Sequence, residues 1–162
     1  MLAHAFARYT AGPVEIVIDS NDPAVSAVAE NALRLFSTPW TRCTRSIFVR
    51  LVRERSELVC SGTYLTCARA SIDREGTAFR ATAISGITGT GETSGNRDRW
   101  RISIPPELRF GEAESGDIED LLLLALTVAW RAASWEPVHA AAVAKGDRCI
   151  LLCAPSGGGK ST

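Results

Sequence analysis

Val14, Ile16, Val17 and Ile18 make a run rich in β-branched residues, interrupted only by Glu15, and the turn-forming segment Asp19–Asp22 follows, so the pattern predicts a strand over 14–18. Asp22-Pro23 then has the form of a helix start, a carboxylate N-cap ahead of proline at the first helical position. Val25, Val28, Ala29, Ala32, Leu33 and Phe36 recur at the spacing of one helical face and Pro39 ends the pattern, which predicts a helix over 24–36. Ile47, Val49 and Leu51 predict a strand with one buried face. The arginines between 42 and 55 read as its wet opposite side rather than as an anion site. Further strands are expected over 57–61, 63–71, 77–84 and 99–104, with a turn at Asp73–Gly76 joining the second to the third. Residues 85–98 are so rich in Gly, Ser and Thr that they read as a mobile loop. Gly89 and Gly91 do not make a dinucleotide fingerprint, because Ser94 stands where its third glycine belongs.

Pro105–Ser115 reads as a linker, and Asp117 as the cap of a helix with Glu119 and Asp120 in its first turn and Arg131 in its last. The run Leu121–Leu126 is apolar on every side, which predicts a helix buried in a core or against a second subunit. A strand over 138–144, a turn at Lys145–Asp147 and a strand over 148–153 close the pattern. The expected organisation is α/β: an α+β accessory unit over 1–110, then the start of a second unit over 111–162.

The chain has 162 residues, 46% hydrophobic and 22% charged, with 18 basic and 18 acidic side chains. That apolar fraction excludes disorder as the main state, and zero formal charge gives no field to hold nucleic acid or an anionic membrane. The longest apolar stretch, Leu121–Trp130, interrupted only by Thr127, covers ten positions, short of the roughly 20 that span a bilayer. Residues 1–9 lack the basic start and long apolar run of a secretory signal. The five cysteines form no C-x-x-C pair and are expected reduced and buried, which with the rest predicts a cytoplasmic protein.

The chemistry is concentrated at the last nine positions. Strand 148–153 runs into Ala154, Pro155, Ser156, Gly157, Gly158, Gly159, Lys160, Ser161 and Thr162, a Walker A loop with Ala154 in place of the first glycine. The three glycines allow successive backbone N–H groups to turn inward around phosphate oxygens. Lys160 supplies a compact positive charge for the β- and γ-phosphates, and the Ser161 hydroxyl is the expected Mg²⁺ ligand. Lysine is otherwise rare here: the chain has 16 arginines and only Lys145 and Lys160.

Pro137, Val138 and His139, the alanine-rich strand after them and the strand Cys149–Cys153 that feeds the loop resemble the HPr kinase/phosphorylase family and its HPr-kinase-like relatives. His139 precedes Lys160 by 21 positions, the spacing of that family's strand histidine and loop lysine. The resemblance covers 117–162; residues 1–110 carry no family motif. It implies a PEP-carboxykinase-like kinase core, ATP and Mg²⁺ as cofactors, and phosphoryl transfer to a serine of a protein or peptide. It also implies His139 and Lys160 at the active site, and homo-oligomers. The family's catalytic aspartate lies beyond the Walker A loop, so the chain is expected to be an N-terminal fragment, inactive alone. Two other readings stay open. Transporter-type ATPases carry similar loops, although their upstream segment usually brings an aromatic residue for adenine. A non-catalytic fragment is the other.

Overall fold

The computed structural model describes residues 5–36, 42–67, 69–137 and 141–152. They form a mixed eight-stranded sheet with two helices and a separate two-stranded hairpin, so the chain is α/β. Strands β1 (Ala5–Ala11) and β2 (Val14–Ser20) are an antiparallel hairpin joined at Gly12-Pro13, with Gly12 at φ +59° where the tight turn needs a positive φ. Helix α1 (Pro23–Leu33), extended by a 3₁₀ turn at Arg34–Phe36, crosses to β3 (Arg45–Arg53), which pairs parallel with β2. Strand β3 also pairs parallel with β8 (Arg97–Ile104). The chain between them builds an antiparallel wing of β4 (Leu65–Thr66), β5 (Ala70–Glu75), β6 (Ala78–Ala83) and β7 (Thr88–Ser94). The sheet order is β1-β2-β3-β8-β7-β6-β5-β4.

Strand alternation decides which face is buried. The register sets Ile72, Ala81, Gly89, Ile102 and Leu51 in one row across five strands, and Phe79, Gly91, Trp100, Val49 and Ile18 in the next. All of these are buried. Onto this face α1 lays Val25, Ala29 and Leu33, held at its start by the Asp22 carboxylate, which accepts from the N–H groups of Ala24 and Val25. Helix α2 (Glu112–Ala132) adds Ile118, Leu121, Leu122, Ala125 and Leu126, so the all-round apolar run is covered by the sheet and α1 in one core. Leu123 alone of the run is largely exposed. No helix among the described residues is long and apolar enough to cross a membrane.

The largest departure from the sequence pattern is at 85–98. In place of a mobile loop, β7 is an interior strand between β6 and β8, and the reason is steric. A Cβ at Gly91 would stand 2.5 Å from Cε2 of Trp100, so the glycine makes room for a buried indole rather than for chain motion. Gly91→Ala is therefore expected to destabilise the fold by about 1–3 kcal/mol. Equilibrium urea unfolding checks this; an unchanged midpoint would mean that Trp100 does not lie over Gly91.

Several smaller expectations are corrected too. Residues 57–61 are not a strand: the Asp73 carboxylate accepts from the N–H and hydroxyl groups of both Ser61 and Thr63 and pins the segment as irregular chain. The single strand expected over 63–71 is instead the β4–β5 turnback, and Asp73–Glu75 continue β5, leaving the turn to Gly76-Thr77. Helix α2 starts at Glu112, because Gly111 is its N-cap and Glu114 folds back onto the Gly111 N–H at 2.9 Å. Asp117 is then inside the helix and fully buried, accepting from the Ser85 N–H at 2.7 Å and from the Arg69 guanidinium. Nor is the 42–55 stretch uniformly wet. Arg45 shares the core-facing parity of Ile47 and Val49 and is buried, donating to both carboxylate oxygens of Asp98 at 2.5 and 2.6 Å. Arg53 donates to Asp22 at 2.8 Å and to the Leu108 carbonyl at 2.6 Å, tying α1, β3 and the chain ahead of α2 together. Among the described cysteines none is buried: Cys43 and Cys149 are exposed, Cys60 and Cys67 half-buried.

Candidate nucleotide-binding site

His139 and Ala154–Thr162 lie outside the described residues, so the structure bears on what leads into them. That lead is an antiparallel hairpin of β9 (Ala141–Lys145) and β10 (Arg148–Leu152), closed by Gly146-Asp147 with Gly146 at φ +62°. The expected strands at 138–144 and 148–153 are thus found over the described part of each. Ala141 faces Leu152 in the register, so the chain enters and leaves the hairpin at the same end. The segments that carry His139 and the glycine-rich run are both attached there. Ile150 is 65% and Leu151 58% exposed, so the described residues leave both faces of β10 uncovered. Two strands bury too little to be stable without a covering layer.

The hairpin departs from a corner built by the end of α2. Ser134 has φ +61°, and two bonds close the helix: the Trp135 N–H donates to the Trp130 carbonyl at 2.8 Å, the Ser134 N–H to the Arg131 carbonyl at 3.0 Å. This is a Schellman closure with serine where glycine is usual. It swings Trp135 onto the β1–β2 turn, where a Cβ on Gly12 would lie 3.0 Å from Cζ3 of the indole. Trp130 donates through Nε1 to the Ala11 carbonyl at 2.9 Å and meets Phe36 edge-on at 5.8 Å. Arg131 clamps the Glu136 carboxylate at 2.6 and 3.0 Å and holds its pKa below the usual range. The exit of the chain from α2 is therefore fixed to the sheet by aromatic packing, around an apolar cavity of ≈ 360 Å³. Because a left-handed serine costs energy that glycine does not, Ser134→Gly is expected to stabilise the protein by about 1 kcal/mol. Thermal unfolding tests it; a lower midpoint would show that the Ser134 side chain contributes to the closure.

These aromatic anchors were not singled out from the sequence. The available signal was the Gly12-Pro13 dipeptide, which marks a hairpin and so places residues 5–11 in a strand. Among the described residues no three His, Cys, Asp or Glu side chains gather as metal ligands.

No family model, no curated protein and no solved structure matches this chain.

Proposed function

We infer that the chain carries the nucleotide-binding loop of an HPr-kinase-like serine kinase with a PEP-carboxykinase-like core, and that the eight-stranded unit is its accessory domain. The observation that carries the reading is a strand, β10, whose next residues are the run Ala154–Thr162 (APSGGGKST). The hairpin context supports it, since the chain enters at the His139 end and leaves at the loop end side by side.

The donor set fits Mg·ATP: three glycines to expose backbone N–H groups, an ammonium for phosphate oxygens and a hydroxyl for a hard cation. When bound, Mg·ATP supplies the transferable γ-phosphoryl group. In this reading Lys160 neutralises phosphate charge, Ser161 ligates Mg²⁺, and Gly157–Gly159 hold the phosphates in place by their backbone. His139 makes a supporting active-site contact. Catalysis by such a site is positioning and charge neutralisation, with an aspartate beyond the loop taking the proton from the substrate serine. The substrate is a serine on a protein or peptide. The protein works in the cytoplasm, without nucleic acid or membrane, and forms homo-oligomers.

The gene tests the kinase assignment. The codons after Thr162 are expected to encode a strand ending in paired aspartates. A Ser-Gly-Gly-Gln signature with a Walker B strand would assign the loop to a transporter-type ATPase, and an immediate stop codon would leave no base and overturn the kinase reading.

A further inference from the structure

The sheet face opposite the helices is lined by arginines, and their pairing is uneven. Arg97, Arg99 and Arg101 alternate along β8 with the buried Asp98, Trp100 and Ile102, so all three project from the helix-free face. Arg101 is held by Glu54 at 2.5 Å, Arg50 by Asp19 at 3.5 Å and Arg80 by Glu75 at 3.1 Å. Arg97 and Arg99 are exposed and make no ion pair among the described residues. Two like charges are thus left about 7 Å apart on one strand, at a mutual cost that an anion would relieve. The cross-strand neighbours of Arg97 suit an anion. Arg97 stands between Ser94 on β7 and Ser46 on β3, so a guanidinium is flanked by two hydroxyls in one row. Arg99 stands between Glu92 and the half-buried Phe48 in the next row. A depression of ≈ 300 Å³ opens over Glu92, Ser94, Arg97 and Arg99.

We propose that this depression binds a phosphorylated side chain of a protein partner, with Arg97 and Arg99 on the phosphate and Ser94 and Ser46 completing its hydrogen bonds. The charge count selects this ligand over a polyanion. A phosphate monoester carries about −1.5 to −2 at neutral pH, which two guanidiniums match. A nucleic-acid strand places a charge about every 3.4 Å, and would run from this pair over Glu92, Glu75 and Asp19, where the remaining arginines are already neutralised. Arginine rather than lysine suits the task, because its planar fork binds two phosphate oxygens at once. Phe48 beside Arg99 offers an apolar seat for the residue next to the phosphorylated one. The site uses no residue of the glycine-rich run, and its test uses no nucleotide.

The test is fluorescence anisotropy of the full chain with a labelled Gly-Ala-phosphoserine-Ala-Gly peptide, its unphosphorylated twin and a twelve-residue oligothymidylate. Only the phosphopeptide is expected to bind, with affinity falling as salt rises. Arg97→Gln and Arg99→Gln are each expected to weaken it about tenfold, and Glu92→Gln to tighten it. Arg8→Gln, at a paired arginine on β1, should leave it unchanged. Both β8 side chains are exposed and make no ion pair among the described residues, so the variants are expected to fold, and an unaltered thermal midpoint verifies that. Equal affinity for the two peptides, binding insensitive to Arg97→Gln and Arg99→Gln, or tighter binding of the oligonucleotide would each overturn the proposal.

Discussion

Asp98→Ala is expected to cost about 3–5 kcal/mol of stability, the penalty for leaving a buried charge without its partner. Asp98 is 1% and Arg45 7% exposed, and the two make a bidentate pair completed by Thr93 and by the Gly95 carbonyl, which accepts from Arg45 at 3.0 Å. With the carboxylate gone, the guanidinium remains at the end of a core row with one carbonyl and one hydroxyl for its donors. The pair joins β3 to β8 at the start of their parallel pairing, so the loss falls on the centre of the sheet. Replacing both residues together, Arg45→Met with Asp98→Leu, is expected to cost much less than the single change, because no charge is then stranded. Urea unfolding of the three variants measures both numbers. A single variant within about 0.5 kcal/mol of the parent would show that Arg45 reaches solvent.

Asp117→Ala is expected to cost about 1–3 kcal/mol for a different reason, the loss of the acceptor for the Ser85 N–H. Asp117 is 0% exposed within α2 and, among the described residues, is the acceptor for both the Ser85 N–H and the Arg69 guanidinium. Its removal unties the β6–β7 turn from the helix, while the Arg69 N–H keeps its 3.2 Å bond to Asp120 at the start of β5. Burial raises the Asp117 pKa, but the bonds from Ser85 and Arg69 outweigh it and the net shift is downward. A folded-state pKa below the unfolded one means that the contribution is present above the unfolded carboxyl pKa, near 4, and fades as pH falls through the folded value. Glu54, held down to about 2 by Arg101 and Ser103, acts in the same direction. Stability is therefore expected to fall from about pH 4.5 downward, and Asp117→Ala to flatten that slope. An equally steep slope in the variant would separate acid lability from this group.

The parts of the fold that were legible in the sequence are those whose cause is local. The Asp22-Pro23 cap and the 3.6-residue repeat behind it specify α1, a run of β-branched residues specifies β2, and alternation specifies β3 and β8. β7 was illegible because its glycines answer to Trp100 on the neighbouring strand, a contact that no window of sequence contains. Arg45 and Asp117 are intermediate cases. Arg45 lies two residues before Ile47, and Asp117 four before Leu121, so periodicity alone puts both on buried faces; charge argued for the surface, and the partners that reverse that argument, Asp98 and Arg69, are 53 and 48 positions away. Of the proposed nucleotide site, the motif was legible from residue types and spacing, and the hairpin that leads into it from the strand–turn–strand pattern. His139 and the loop itself lie outside the described residues.

Calorimetric titration of the 162-residue chain with Mg·ATP, beside its Lys160→Ala variant, tests the nucleotide reading most directly. The expected result is saturable, Mg²⁺-dependent binding that weakens at least about tenfold when the ammonium is removed, with the thermal midpoint of the eight-stranded unit unchanged. Equal binding by the two proteins, or none by either, would contradict it.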